Sequence, residues 1–143
     1  MKAWNVVADG EPRDVLELRE SEVPAPADDQ VLVRVRAAAA NFPDVLLCRG
    51  QYQERFAHPY TPGIELCGEV VSVGRAVQGW APGDRVLGGA ALPAGAFAEL
   101  ALMPAHDVFS APASLDDAEA ASLHVAYQTA WFALHHRARI RAG

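Results

Sequence analysis

An alternation of apolar and polar residues at positions 31–36 constrains the fold more than any other stretch of the chain. It places three valines on one face of an extended segment and both arginines, Arg34 and Arg36, on the other. A period of two is typical of a β-strand with one buried face. Because that valine face needs partners, a fold built mainly from β-strands is predicted.

Short strands separated by turns continue through the first hundred residues. Further strands are predicted at residues 2–8, 15–23, 64–73, 85–87 and 96–103. One short helix is predicted over residues 42–49, because Pro43 suits a first helical turn and Gly50 suits a C-cap. Residues 51–62 show no periodicity and are predicted to form a loop.

The pattern changes after Pro112, where helical signals replace strand signals. Ser114, followed by Asp116 and Asp117, is a typical helix start. Apolar residues then recur at spacings of three and four, which predicts an amphipathic helix to about Arg137. Its apolar stripe is formed by Leu123, Tyr127, Ala130, Trp131 and Leu134. We therefore predict a β-rich part at residues 1–112 and a helical connector at residues 113–143.

Composition narrows the class of protein. The 143 residues support a single domain, and a formal net charge of -6 argues against a nucleic-acid partner. No apolar run is long enough to cross a membrane, and the N-terminus lacks the features of a secretory signal. Cys48 and Cys67 lie in apolar surroundings with no disulfide framework, so a cytoplasmic location is expected.

Short motifs occur in a fixed order along the chain. They are Asn-Phe-Pro-Asp at 41–44, Arg-Gly-Gln-Tyr at 49–52, Pro-Tyr-Thr-Pro-Gly-Ile-Glu at 59–65, Gly-Glu-Val-Val-Ser-Val-Gly at 68–74, Gly-Trp-Ala-Pro-Gly-Asp-Arg-Val at 79–86, Gly-Ala-Phe-Ala-Glu at 95–99 and Ala-Tyr-Gln-Thr-Ala-Trp at 126–131. This ordered set resembles the zinc-free quinone oxidoreductase branch of the medium-chain dehydrogenase/reductase family, which includes zeta-crystallin-like proteins.

The resemblance implies a GroES-like, partly open β-barrel with a short internal helix and a C-terminal helical tail. In that family a Rossmann domain follows and holds NADPH, which donates hydride to a small quinone. No dinucleotide-binding fingerprint occurs within the 143 residues. We therefore expect this chain to be the N-terminal catalytic-domain portion of such an enzyme and to be inactive alone.

The resemblance also implies that the site works without zinc. Zinc-binding relatives carry a cysteine near Asn41 and a histidine at Ile64, and this sequence has neither. The best remaining trio of ligands is Cys48, His58 and Cys67. Two buried thiols and a loop histidine are the favoured interpretation of that trio.

Three residues are predicted to contact NADPH. Asn41 could orient a ribose hydroxyl or a quinone carbonyl, or it could simply cap the following helix. Tyr52 could stack on a nicotinamide or quinone ring and protonate a reduced product, or it could be a packed loop aromatic. By resemblance, the Thr129 hydroxyl reaches the nicotinamide carboxamide, and the alternative is a bond to its own helix backbone.

Two carboxylates lie beside these residues in the sequence. Asp44 is predicted to favour the dipole of the first helical turn. Glu65 begins a strand between Ile64 and Leu66, and an ion pair with an arginine is expected.

Two alternatives to quinone reduction stay open. One is an enoyl or 2-alkenal reductase of the same family, and the other is a non-catalytic GroES-like binding module. The apolar stripe of the helical tail needs a surface to cover. In the whole enzyme that surface would be the Rossmann domain, and in the isolated chain the stripe predicts a homo-oligomer, self-association through the tail or domain pairing.

Overall fold

A computed structural model describes residues 1–141, and within that range the chain is built mainly from seven β-strands, as predicted. The strands are β1 (Lys2–Val6), β2 (Leu16–Glu20), β3 (Gln30–Ala39), β4 (Glu65–Val73), β5 (Arg85–Gly89), β6 (Leu100–Pro104) and β7 (Val108–Ser110). The α-helices are α1 (Pro12–Val15), α2 (Phe42–Cys48), α3 (Asp117–Ala121) and α4 (Gln128–Trp131). A 3₁₀ turn covers Ala105–Asp107, and wider π-helical turns cover Leu123–Tyr127 and Phe132–Arg137.

The strands form two antiparallel sheets. A two-stranded sheet pairs β1 with β2, and a five-stranded sheet has the order β6-β3-β4-β5-β7. Isolated bridges join Ala3 to Ala98 and Val6 to Tyr60. The sheets stay open, which agrees with the predicted partly open architecture. Strand β4 lies at the centre of the larger sheet and fixes the position of the residues that precede it.

The valine face of residues 31–36 is buried, as the alternation predicts. Val31 and Val33 lie in the main hydrophobic cluster with Leu66, and Arg34 is exposed on the opposite face. A second face of the large sheet is covered by α3, whose Ala120 and Ala121 form a cluster with Cys67 and Leu87. The two faces of the sheet are therefore covered by different parts of the chain.

Strand β6 begins later than predicted, at Leu100 rather than at residue 96. The preceding residues bond to two other segments: the Ala96 N–H donates to the Gly63 carbonyl, and the Glu99 N–H donates to the Lys2 carbonyl. Because these backbone groups bond to two different segments, the residues before Leu100 do not pair with one neighbouring strand. The short helix α1 was not predicted, and it places Pro12 in its first turn, where a missing N–H costs nothing.

The helical tail, defined here as residues 117–137, is less regular than predicted. It begins at Asp117 rather than near Ser114, because Asp116 is the N-cap and its side chain accepts from the Glu119 N–H at 2.8 Å. Beyond Ala121, α-helical and π-helical turns alternate. The predicted connector at 113–143 extends to Ala142 and Gly143, which lie outside the described residues, and the boundary at residue 112 stays a prediction.

Across the described range of 1–141, no helix has both the length and the hydropathy needed to span a bilayer.

Leu66 tests the central position of β4 in the core. Its side chain is fully buried, whereas Leu18 on β2 is 52% exposed. We expect Leu66→Ala to lower the free energy of unfolding by about 2–5 kcal/mol, because it leaves a cavity in the main cluster. The matched change Leu18→Ala is expected to cost less than about 1 kcal/mol. Urea denaturation followed by tryptophan fluorescence measures both, and equal losses would contradict this account of the core.

Candidate active site

Asn41 lies at the junction between the end of β3 and the start of α2. It is the N-cap residue of α2, and its backbone N–H donates to Asp44 Oδ2 at 2.8 Å. Pro43 occupies the first helical turn, where no backbone donor is needed. The capping arrangement fixes the backbone of Asn41, so its side chain leaves the junction in a defined direction.

Asp44 does more than favour the helix dipole, which was the role predicted from its position. The side chain is only 5% exposed, and its second oxygen, Oδ1, accepts from the Gly63 N–H at 3.0 Å. Gly63 has a φ of 101°, and an added Cβ would lie 2.7 Å from the Phe97 backbone nitrogen. Only glycine fits there, so Asp44 and Gly63 together hold the segment that leads into Glu65.

Burial controls the ionisation of Asp44. Desolvation raises the pKa of this carboxyl above its usual value, while backbone N–H groups of Asn41 and Gly63 act to lower it. The negative charge of Glu65 raises the pKa further. Two carboxylates therefore share one buried region, and backbone N–H groups stabilise the charge of Asp44 there.

Glu65 joins three parts of the chain. The side chain is 1% exposed, with Oε1 accepting from the Asn41 side-chain nitrogen at 2.8 Å and Oε2 accepting from the Val125 N–H at 2.8 Å. The expected arginine partner was wrong. The arginines on the neighbouring strands pair with other carboxylates, Arg36 with Glu69 and Arg85 with Asp117. A backbone N–H from the helical tail replaces the arginine.

The structure brings Asn41, Glu65 and the Val125 backbone together, and Thr129 follows one helical turn later. Thr129 is exposed and lies on the same part of the tail as Val125. Its hydroxyl is therefore accessible to a ligand that also contacts the junction.

Tyr52 lies beyond the opposite end of α2 from Asn41. The helix has seven residues, which corresponds to a length of about 10 Å. Tyr52 is half-buried.

The loop that carries Tyr52 is anchored by charged side chains. Asp9 accepts from Arg55 at 3.4 Å and pairs with the His58 Nε2 at 3.1 Å. At the end of α2, Arg49 forms a two-point ion pair with Glu11, at 3.0 Å and 2.9 Å. These contacts join both ends of the loop region to the turn that follows β1. The sequence showed the charges but gave no signal for their pairing.

The helical tail is fastened to the body by polar contacts that sequence reasoning missed. Arg85 donates to Asp117 at 2.8 Å and to the Leu115 carbonyl at 3.0 Å. His124 pairs with Asp107 at 3.1 Å, although no acidic partner is near it in the sequence. These pairs join residues that are far apart along the chain, so only the fold reveals them.

The cysteines belong to separate parts of the core. Cys48 lies in a cluster with Tyr60, and Cys67 lies in the cluster with Leu87 under α3. Desolvation raises the pKa of the Cys48 thiol, and it raises that of Cys67 to about 11. Among residues 1–141, no three His, Cys, Asp or Glu side chains are grouped so that they could hold a metal ion.

Comparison with known protein families finds one matching domain. Residues 27–113 match the alcohol dehydrogenase GroES-like domain. This match covers β3, α2, β4 and the following strands, and it therefore includes Asn41, Asp44 and Glu65. The helical tail lies beyond it.

Comparison with individual proteins finds relatives along the whole chain. Human quinone oxidoreductase is 37% identical over 144 residues, which cover 100% of this chain and 43% of the human protein. A solved quinone oxidoreductase from Coxiella burnetii superposes with a TM-score of 0.88 at 28% identity, covering 100% of this chain and 46% of that chain. A mycobacterial protein solved in complex with NADPH has a TM-score of 0.90 at 30% identity, with coverage of 100% and 43%. The chain thus spans less than half the length of these proteins.

The pH dependence of folding stability at alkaline pH tests the burial of the Cys67 thiol. Its pKa in the folded protein is about 11, against 9.0 for an ordinary thiol. A pKa raised by folding contributes stability that is complete below pH 9 and is lost as the pH rises through 11. We expect this loss to be on the order of 2 kcal/mol. Denaturant titrations between pH 8 and pH 11.5 measure it, with Cys67→Ser as the non-ionising control. An equally steep alkaline loss in Cys67→Ser would contradict this assignment.

Proposed function

The chain belongs to the alcohol dehydrogenase GroES-like domain family, within the medium-chain dehydrogenases and reductases, and from this premise we propose that it forms the substrate side of an NADPH-dependent quinone oxidoreductase. Residues 1–112 supply the substrate-side domain, and residues 113–143 form the connector toward a cofactor domain. A cytoplasmic location is part of the same proposal, and it is supported by two free, buried cysteines.

One observation carries this proposal. The similarity to human quinone oxidoreductase extends over 100% of this chain at 37% identity, and so covers the helical tail as well as the GroES-like domain. Similarity that reaches beyond the GroES-like domain match at 27–113 into the tail supports a shared enzymatic role. The proposal therefore favours the enzyme over the non-catalytic module.

The residues at the junction suit a nicotinamide cofactor. Asn41 offers an amide at the end of β3, and Thr129 offers an exposed hydroxyl one turn beyond Val125. Both can bond to uncharged polar groups such as ribose hydroxyls and a carboxamide. When bound, NADPH supplies the hydride. Residues 1–141 would then orient the nicotinamide end of NADPH. The phosphates of NADPH would be held by groups outside these residues.

Tyr52 supplies the remaining polar group. Its half-buried ring can stack on a planar quinone, and its hydroxyl is free to donate a hydrogen bond or a proton. The buried oxygens of Asp44 and Glu65 all accept hydrogen bonds from the protein, so neither carboxylate is available as a general base. Within the described residues, proton delivery to a reduced quinone is assigned to Tyr52.

The test uses the protein as encoded in its source genome, including any sequence beyond residue 143. We expect NADPH-dependent reduction of a benzoquinone to be faster than reduction of an enone, and no turnover by residues 1–143 alone. Thr129→Val is expected to weaken NADPH binding about threefold to tenfold through loss of one hydrogen bond. Tyr52→Phe is expected to lower the quinone reduction rate, with Tyr127→Phe as a matched control for loss of a hydroxyl.

Two outcomes of this test would contradict the proposal. If the encoded protein oxidises NADPH with neither acceptor, the enzyme function is wrong. If the enone is the better substrate, the enoyl or 2-alkenal reductase is the correct member of the family.

We also propose that the chain self-associates through the tail. Four large apolar side chains are exposed there: Tyr127, Trp131, Phe132 and Leu134. The tail is fastened to the body by polar groups on α3 and the first π-helical turn, which leaves this face uncovered by residues 1–141. Exposed apolar surface of this kind favours association.

Trp131 tests the self-association. It is 57% exposed on the tail, and Trp4 is 46% exposed on β1. Sedimentation velocity of residues 1–143 is expected to show a concentration-dependent dimer or larger species. Trp131→Ser should raise its dissociation constant about tenfold or more, because an aromatic anchor at the centre of an interface contributes at least that much. Trp4→Ser should not. A monomer at all concentrations, or equal effects of the two variants, would contradict this proposal.

A further inference from the structure

The orientation of the Asn41 amide is fixed by its surroundings. The side-chain nitrogen donates to Glu65 Oε1 at 2.8 Å and to the Ala39 carbonyl at 3.3 Å. The Ala39 carbonyl has no hydrogen to donate, so it can only accept. An amide turned the other way would place its oxygen against two acceptors. The NH₂ group therefore faces inward.

Glu65 cannot turn away from the Asn41 amide without losing a hydrogen bond. Both of its oxygens already accept a hydrogen bond, one from Asn41 and one from the Val125 N–H, and the carboxylate is 1% exposed. Moving either oxygen would leave a buried charge with one fewer donor, which is costly. The carboxylate, the amide and the tail backbone therefore form one unit, which we call the Glu65 lock.

We propose that Glu65 is a positioning residue that leaves only the oxygen of the Asn41 side chain for a ligand. An amide oxygen has two lone pairs. The Asp44 N–H donates to the Asn41 backbone carbonyl at 3.0 Å, so within the described residues it leaves the side-chain oxygen open to a ligand. Asn41 thus accepts from a donor on the ligand, such as a ribose hydroxyl or a carboxamide N–H, and does not donate to a quinone carbonyl.

This inference rests on the proposed function, and it decides between the two ligand roles considered for Asn41. Its second consequence concerns the tail. Because Glu65 also holds the Val125 N–H, a change at the lock alters both Asn41 and the turn that precedes Thr129. A single buried carboxylate then positions two segments, at Asn41 and at Thr129, that contact the same ligand.

Hydrogen exchange tests the lock without any ligand. Glu65→Gln keeps the shape of the side chain but offers one oxygen and one NH₂, so it can accept from only one of the two donors. We expect exchange of the Val125 amide or of the Asn41 side-chain NH₂, followed by NMR in the encoded protein, to speed up about tenfold. The matched control is Glu69→Gln, which removes the same charge from a partly exposed position on the same strand. Unchanged exchange of both groups in Glu65→Gln would overturn the lock.

A swapped pair tests the acceptor role and covers the case in which Glu65→Gln does not fold. In the double variant Asn41→Asp with Glu65→Gln, the Gln oxygen accepts from Val125 while its NH₂ donates to the new aspartate. That aspartate still presents an acceptor to the ligand and has no donor. We expect Glu65→Gln and Asn41→Asp each to weaken NADPH binding about tenfold, and the double variant to recover at least fivefold over either one.

Each result of the swap has a defined meaning. Recovery of folding or of NADPH affinity in the double variant supports the lock, and a double variant that is no more stable than Glu65→Gln overturns it. A folded double variant with no recovery of affinity shows that the Asn41 donor is needed, which overturns the acceptor role. If the unaltered protein does not bind NADPH, the proposed function fails, while the exchange measurement still decides whether the Glu65 lock exists.

Discussion

The burial of the Glu65 carboxylate is the constraint on which the site depends. A charged group removed from water needs donors that replace its hydration, since an unpaired buried charge costs several kcal/mol. Here the donors come from two places far apart in sequence, the Asn41 side chain and the Val125 backbone. Satisfying one carboxylate therefore requires the end of β3, the start of β4 and the helical tail to meet. The junction follows from this requirement.

Strand β4 provides the rigid support for that meeting point. It lies between β3 and β5, and its residues Leu66 and Val70 are fully or almost fully buried in the main cluster. Gly63, held by Asp44, brings the chain into the strand at a point where no side chain would fit. Glu65 is thus placed by a packed sheet rather than by a loop. A site fixed in this way keeps its geometry when the surrounding loops move.

Periodicity in the sequence was sufficient to predict the sheet but not the junction. The alternation at residues 31–36 reports directly which face is buried, so the mainly β fold and the burial of Val31 and Val33 were predictable. Helix α2 was predictable from Pro43 and Gly50, because the signals for a helix start and end also lie in neighbouring residues. The partner of Glu65 was not, because it is a backbone N–H from an irregular helical turn. An arginine was expected, since side-chain charges are the only partners that a sequence displays.

The charged pairs of the tail were not predictable either, because their partners are far apart in the sequence. Asp107 lies in the 3₁₀ turn before β7 and Arg85 lies on β5, and each meets its partner on the tail, His124 or Asp117, only in the folded chain. Ala120 and Ala121 pack on the sheet beside these pairs, whereas the later apolar face with Trp131 stays exposed, and the amphipathic pattern predicts only that such a face needs another surface to cover. The tail is therefore attached through its beginning and presents its apolar face outward. Under the proposed function this division has a use, because the attached end holds the Val125 backbone beside Glu65 while the exposed end offers an apolar face to a second unit.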